Sequence, residues 1–251
     1  MREIKEYKVC LRTESPFRIG GQKDPFSKVD LPIAKIGGKI VVQGTSLKGA
    51  FRHELEEYLI ENYPNRESMK PCIPSDNKTI SKDERKLITN GKYKGASCVY
   101  PYKEDKHDSS QKRICPACYL LGAQGLIGFV IVPFLNADVT PSDLYSIRVD
   151  RAKGTAADRT NRGYPIIPEG IEFEGTLTVL IKDGVRGWEL GKDRVLQESI
   201  EGDKWLKGEE NWDAKRILKE LIKERLEAVK VMGGLKSSGA GKVKITVEEV
   251  K

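Results

Sequence analysis

Four of the five cysteines fall within one polar segment, and their side chains can bind a metal ion. Cys115 and Cys118 have the two-residue spacing of a zinc knuckle, and Cys72 and Cys98 lie upstream of them. Four thiolates, or three thiolates together with His107, would complete a tetrahedral site. Because such a site leaves no open coordination position, the sequence predicts a structural zinc ion. The alternative interpretation is a group of free thiols.

Zinc would also account for the folding of the segment that carries these cysteines. Residues 64–115 are polar and have little apolar periodicity, so we interpret them as an insertion. A segment of this length without its own core needs another source of order. The metal can supply it, because the free energy of metal binding becomes free energy of folding. The odd number of cysteines argues against a disulfide framework.

A basic turn at the start of a helix is a candidate phosphate site. Residues 44–52 follow a strand-like run and lead into an amphipathic helix, which Thr45 or Ser46 is predicted to cap. Lys48 and Arg52 are four residues apart and share a face near the helix start. Backbone N–H groups and the helix dipole favour an anion there. The alternative is a surface helix with two solvated cations.

Two further segments have the composition of phosphate-binding loops. Residues 233–241 join a helix to a strand, and there glycines such as Gly234 let the backbone approach a phosphate while Lys236 adds charge. Residues 148–162 combine basic and small side chains, which favours a hairpin that grips a nucleic-acid backbone. The alternatives are an ordinary turn and a solvated loop. The basic residues of the second segment are Arg148, Arg151, Lys153, Arg159 and Arg162.

Candidate catalytic residues are few. Asp30 stands in a loop rich in glycine and lysine, close in sequence to the basic turn. Its carboxylate could position Mg²⁺ or another divalent cation, or orient an RNA 2′-hydroxyl for attack on the neighbouring phosphate. His53 could serve as a general base, but it also fits an ordinary position on a helix surface.

The elements that must position these residues follow the order strand, helix, strands, helix, strand. Apolar alternation predicts strands around residues 7–11, 171–181 and 243–247, and extended structure over 31–42 and 119–135. Helical spacing predicts helices from Ser46 to about Asn62 and from Asp213 to about Val231. This order predicts an α+β fold with a ferredoxin-like core and insertions.

Composition favours a large, basic, intracellular protein. The 251 residues carry a net charge of +7, with 32% charged side chains and a pI near 9.0. A basic balance suits a polyanionic partner such as nucleic acid, although dense mixed charge is also typical of thermophilic proteins. We expect no signal peptide and no membrane-spanning helix, and therefore a cytoplasmic protein.

Six short motifs occur along the chain in a specific order and spacing. They are Arg18-Ile19-Gly20-Gly21, Val29-Asp30-Leu31-Pro32-Ile33, Gly44-Thr45-Ser46-Leu47-Lys48-Gly49, Cys115-Pro116-Ala117-Cys118-Tyr119-Leu120-Leu121-Gly122, Val149-Asp150-Arg151 with Gly154-Thr155-Ala156, and Gly233-Gly234 to Gly241. With these motifs the chain resembles the RAMP superfamily of CRISPR effector proteins. The resemblance is closest to the repeated backbone subunit of type III complexes.

The resemblance implies one RAMP domain over residues 1–251, built on an RRM-like ferredoxin core. Residues 64–118 would form a zinc-stabilised insertion, and residues 148–168 a β-hairpin thumb that kinks the guide RNA. Copies of the subunit would polymerise along guide RNA together with other effector subunits. Asp30 would then be required for metal-dependent cleavage of the paired single-stranded target RNA. The residues expected to bind RNA are Ser46, Lys48, Arg52, Arg151, Arg159, Arg162, Gly234 and Lys236.

Two other functions remain open at this stage. A divergent member could be a guide-RNA-binding scaffold that does not cleave. Alternatively, the chain could be the guide-processing endonuclease of the same superfamily, which generally relies on a histidine, here His53.

Overall fold

The described part of the chain contains twelve strands and three helices. A computed structural model describes residues 1–21, 32–72, 91–94, 97–100, 113–146, 149–156, 162–194, 196, 202–208 and 210–250. The strands are β1 (Arg2–Thr13), β2 (Lys35–Ile36), β3 (Lys39–Val42), β4 (Val130–Ile131), β5 (Leu135–Ala137), β6 (Ser142–Ser146), β7 (Val149–Asp150), β8 (Thr155–Ala156), β9 (Arg162–Ile166), β10 (Glu172–Asp183), β11 (Trp188–Glu189) and β12 (Val243–Glu249). The helices are α1 (Gly44–Asn62), α2 (Pro116–Leu121) and α3 (214–228). Short 3₁₀ turns lie at Glu67–Met69, Lys204–Leu206 and Lys236–Ser238.

The main sheet is antiparallel in every described pairing, with the strand order β12-β1-β10-β5-β3-β2. Strands β4 and β11 also pair with β10. Alternate residues of β1, such as Val9 and Leu11, are buried on one face of the sheet. They join the same core as Phe51 of α1 and Leu221 of α3. The predicted mixed α and β architecture is therefore confirmed, and its period-2 strands bury one face as the pattern requires.

Helix α1 begins two residues earlier than the sequence predicts. Its N-cap residue is Gln43, whose side chain makes no capping hydrogen bond, so the predicted capping role of Thr45 or Ser46 is wrong. Only a glycine fits at residue 44 without a shift of the backbone. The Cβ atom of any other residue would lie 2.9 Å from the carbonyl oxygen of Val132, which is too close. The start of α1 therefore sits directly against the chain that leads into β5.

Residues 119–121 belong to helix α2, although extended structure is predicted over 119–135; strand β4 (Val130–Ile131) confirms the later part of that prediction. Pro116 begins the helix, and Gly122 with a φ of 84° follows its end. Every residue of α2 is buried. A short, continuously apolar run carries no periodicity that separates a buried helix from a buried strand, which is the reason for the error.

Helix α3 is not uniformly α-helical. It consists of Ala214–Arg216, a π-helical stretch Ile217–Lys223 and a final α-helical turn Glu224–Ala228. The predicted helix is confirmed, but it ends before Val229, whose backbone is extended. No helix among these described elements is long and apolar enough to cross a bilayer.

A two-stranded β-ribbon is inserted in the chain between β5 and β10. Strand β6 pairs with β9, and the short strands β7 and β8 pair around the turn at residues 151–154. The ribbon thus begins at Ser142, earlier than residue 148. Its base is attached to the core by mutual backbone hydrogen bonds between Phe17 and Ile167, of 2.7 and 2.8 Å.

A buried ion pair links the segment after β11 to the core. The guanidinium of Arg194 binds the carboxylate of Asp203 through two hydrogen bonds of 2.8 Å, and both side chains are 0% exposed. Aromatic rings surround the cation, with the centroid of Tyr119 at 4.6 Å and that of Trp188 at 5.3 Å. The pair is therefore fully desolvated and geometrically fixed.

Candidate metal centre and phosphate-binding surface

Four cysteine side chains converge in the interior beside α1. Cys72, Cys98, Cys115 and Cys118 are all buried, and their sulfur atoms lie within 4.8 Å of one another. The sulfurs of Cys72 and Cys118 are 3.4 Å apart. The predicted convergence of these four cysteines is confirmed. His107, the alternative ligand, lies outside the described residues.

The geometry and chemistry of the cluster fit a metal such as zinc. A tetrahedral ion with zinc–sulfur bonds of about 2.3 Å holds its ligands roughly 3.8 Å apart. This value is compatible with sulfurs that all lie within 4.8 Å of one another. An all-thiolate shell is typical of structural zinc. The backbone N–H of Cys115 also donates to the Cys98 sulfur at 3.4 Å, which orients that ligand.

The electrostatics of the cluster favour ionised sulfur at Cys115. Burial opposes the charge, but hydrogen bonds from the thiols of Cys118, Cys72 and Cys98 and the positive charge of Lys94 hold the pKa of Cys115 well below its usual range. A thiolate is the form that binds metal. Hydrogen bonding to Cys115 in turn raises the pKa of Cys72 and Cys118, so the negative charge is favoured at one sulfur and opposed at these two neighbours.

Arg52 lies beside this cluster and not on the surface predicted to bind phosphate. Its Nη2 atom is 3.5 Å from the sulfurs of Cys72 and Cys118, and its Nε atom donates to Glu56 at 2.7 Å. Burial disfavours its charge, yet the neighbouring sulfurs raise the pKa of Arg52 overall. The expected phosphate contact of Arg52 is therefore not supported, because its guanidinium is engaged inside the protein.

Lys48 points into a separate, open cavity. This cavity of about 500 Å³ is lined by Lys48, by Gly44 and Thr45 at the start of α1, and by apolar residues that include Phe134 and Ile131. Lys48 and Arg52 therefore diverge although they are four residues apart. Each cation serves a different surface.

A second groove brings two of the predicted phosphate segments together. It has a volume of about 250 Å³ and lies between α1 and the glycine-rich loop. Ser46 and His53 line one side, and Gly233 and Lys236 line the other. Residues nearly two hundred positions apart in sequence thus form one polar surface, which carries Lys236 together with the carboxylate of Glu54. The backbone N–H groups and the dipole at the helix start favour an anion there.

The backbone of the glycine-rich loop is fixed by the segment after β1. The N–H of Gly234 donates to the carbonyl of Arg18 at 2.9 Å, so this amide is not directed at a ligand. Leu235 has a φ of 62°, a left-handed conformation that a leucine rarely adopts. The surrounding contacts hold this strain and present Lys236 to the groove.

A family model described as RAMP superfamily matches residues 10–244. The chain belongs to the RAMP superfamily. Members of this superfamily are generally CRISPR-associated RNA-binding proteins. No curated protein matches the chain. The match runs from β1 to β12, so it includes both the cysteine cluster and the two sides of the groove in this RAMP protein.

Of the remaining predicted site residues of the RAMP chain, the side chain of Arg151 is described and three others are not. Asp30 and Arg159 lie outside the described residues, and so does the side chain of Arg162. Arg151 is exposed in the turn at the tip of the ribbon. The chain on either side of the Asp30 loop is joined by a hydrogen bond of 2.8 Å from the N–H of Gly21 to the carbonyl of Pro32.

Sequence reasoning missed the groups that surround the cysteines. Lys94 is almost fully buried, and its ammonium donates to the carbonyl of Arg113. Nothing in the polar sequence around Lys94 marks it as an interior residue. Glu56 could have been found, because a carboxylate four residues after Arg52 on a helix forms a natural ion pair.

Proposed function

We propose that this RAMP protein is a backbone subunit of a CRISPR effector complex that binds guide RNA along its phosphates. The groove between α1 and the glycine-rich loop carries the proposal, because it unites Ser46 with Lys236 at a helix start. Its partners would be guide CRISPR RNA, single-stranded target RNA, further copies of itself and other effector subunits. A structural zinc ion at the four cysteines would stabilise it.

The proposed core is ferredoxin-like. The order of its main elements along the chain is that of a βαββαβ unit: β1, α1, β5, β10, α3 and β12. The strand order β12-β1-β10-β5, antiparallel throughout, supports this assignment. Both helices lie in the crossover connections and contribute residues to the same hydrophobic core.

The proposed domain covers residues 1–251, with two additions to the core. Residues 64–118 would be the zinc-stabilised insertion, supported by Cys72, Cys98 and the backbone of Lys94 around the cluster. Residues 148–168 would be the thumb, supported by the β6–β9 ribbon with exposed Arg151 at its turn. An exposed basic tip at the end of a ribbon suits contact with a nucleic-acid backbone.

RNA should copurify with the native protein, and its sequences should be CRISPR-derived guides. For the isolated chain we expect affinity for unrelated single-stranded RNAs to be similar and to fall steeply with salt, because phosphates dominate binding. Replacing Lys236 or Lys48 by glutamine should weaken binding about tenfold at low salt and reduce the slope of log K against log salt by about 1.

Lys219→Gln is the matched control for these variants, since Lys219 is an exposed lysine of α3 that lines neither the groove with Lys236 nor the cavity with Lys48. It should leave both affinity and slope unchanged. Strong preference for one RNA sequence, or equal losses in all three variants, would contradict a backbone-directed groove.

Target cleavage is the second part of the proposal, with Asp30 as the catalytic residue and Mg²⁺ or another divalent cation as cofactor. In assembled complexes, Asp30→Ala should slow cleavage of target RNA at least about 100-fold while target binding is retained, because the carboxylate positions the metal. Gel analysis of end-labelled target measures the cleavage, and a filter-binding assay measures the binding.

Asp24→Ala, in the same loop, is the control and should cleave at the wild-type rate. Undiminished cleavage in Asp30→Ala would exclude this site. Absence of target cleavage by the wild-type complex would favour the scaffold function. His53 lines the same groove, so cleavage of repeat RNA by the purified chain alone, abolished in His53→Ala, would instead indicate a guide-processing endonuclease.

A further inference from the structure

The cysteine cluster has a charged neighbour that belongs to α1. The Nη2 atom of Arg52 lies 3.5 Å from both the Cys72 and Cys118 sulfurs, a distance at which N–H groups donate hydrogen bonds to sulfur. Its Nε atom donates to the Oε1 atom of Glu56 at 2.7 Å. The side chains of Arg52 and Glu56 are only 15% and 12% exposed. The guanidinium is therefore held between one carboxylate and two sulfurs.

The net negative charge of a zinc-bound cysteine cluster explains the position of the Arg52 guanidinium. A zinc ion with four thiolates retains two negative charges, and these four cysteines are buried. Buried charge is costly unless it is paired or hydrogen-bonded. Among the described residues, the largely buried cations Arg52 and Lys94 lie beside the cluster, but Lys94 donates to a backbone carbonyl. Arg52 is the one of these two cations whose described hydrogen bonds reach sulfur.

We propose that Arg52 is an outer-sphere positioning residue of the metal centre. Its two N–H⋯S bonds stabilise the metal-bound thiolates of Cys72 and Cys118, and Glu56 fixes its orientation, as groups around metal ligands commonly do. The inference rests on the zinc site of the proposed function, but not on RNA binding. Helix α1 thereby contacts two of the metal ligands, through a residue that lies one turn after Lys48.

The test compares Arg52→Gln with Arg52→Lys in the full chain. We expect Arg52→Gln to bind zinc about 10- to 100-fold more weakly, measured by competition with a chromophoric chelator. In the cobalt-substituted protein, the sulfur-to-metal charge-transfer band should move to lower energy, since the sulfur lone pairs lose a hydrogen-bond donor. Arg52→Lys keeps the charge and one donor, so both properties should be partly restored.

Arg216→Gln is the matched control. Arg216 makes an equivalent pair through its Nε atom with Glu220, four residues later and at 3.0 Å, but it has no contact with the cysteines among the described hydrogen bonds. It should retain wild-type zinc affinity and the wild-type cobalt spectrum. A purely structural role for Arg52 would change the melting temperature without moving the charge-transfer band.

Three outcomes decide the inference. Wild-type affinity and an unshifted band in Arg52→Gln would overturn the role of Arg52 alone. If that variant does not fold, Glu56→Gln should show a smaller shift in the same direction, and an unshifted band there would also overturn the inference. A wild-type chain that takes up neither zinc nor cobalt would overturn the metal site itself.

Discussion

Removal of the metal from the four-cysteine cluster is expected to be the most damaging change to the stability of this RAMP protein. Structural zinc contributes about 10–16 kcal/mol in small zinc-binding peptides, and that binding energy is folding energy. Here the cluster joins Cys72, Cys98 and helix α2 in one buried unit. We therefore expect chelation to lower the Tm by at least about 10 °C and to unfold the segment that carries Cys72 and Cys98.

Calorimetry before and after treatment with a chelator measures this effect, with metal analysis giving about one equivalent of zinc per chain. Cys115→Ser should reproduce the loss of stability without a chelator. Cys10→Ser is the matched control, because Cys10 lies on β1 outside the cluster and should change the Tm by no more than a degree or two. An unchanged Tm after chelation would contradict a structural role for the metal.

Breaking the buried Arg194–Asp203 pair is expected to have the second largest effect on stability. Asp203→Ala leaves the Arg194 guanidinium uncompensated among the rings of Tyr119 and Trp188. Removing one partner of a buried pair costs about 3–5 kcal/mol, because the remaining charge has no solvent and no counter-ion. Urea unfolding followed by tryptophan fluorescence reports the free energy directly.

Two further variants separate burial from ion pairing. Glu174→Ala removes an exposed partner of Lys8, at 2.7 Å, and should cost far less than Asp203→Ala, because solvent screens exposed ion pairs. The double variant Arg194→Met with Asp203→Leu replaces the charges by apolar side chains and should recover most of the stability lost in Asp203→Ala. Equal losses in Asp203→Ala and Glu174→Ala would show that the burial of the pair has no energetic consequence.

The sequence alone determined the long regular elements. Strands β1, β10 and β12 were predictable because period-2 alternation records which face of a strand is buried. Helices α1 and α3 were predictable because their apolar residues recur at helical spacing. The Cys115–Cys118 spacing also pointed to the four-cysteine cluster, since ligand type and separation reflect the chemistry of a bound ion.

Only the tertiary structure decided which residues meet. Periodicity defines a buried face but not its partner, so it could not show that Arg52 turns to the sulfurs while Lys48 faces open space. Nor could it reveal that Ser46 shares a groove with Lys236. Helix α2 was missed because a fully buried apolar run lacks the alternation from which helix and strand are told apart. These contacts depend on long-range packing, which local sequence does not record, whereas Asp30 is a prediction from its loop and from the motif resemblance.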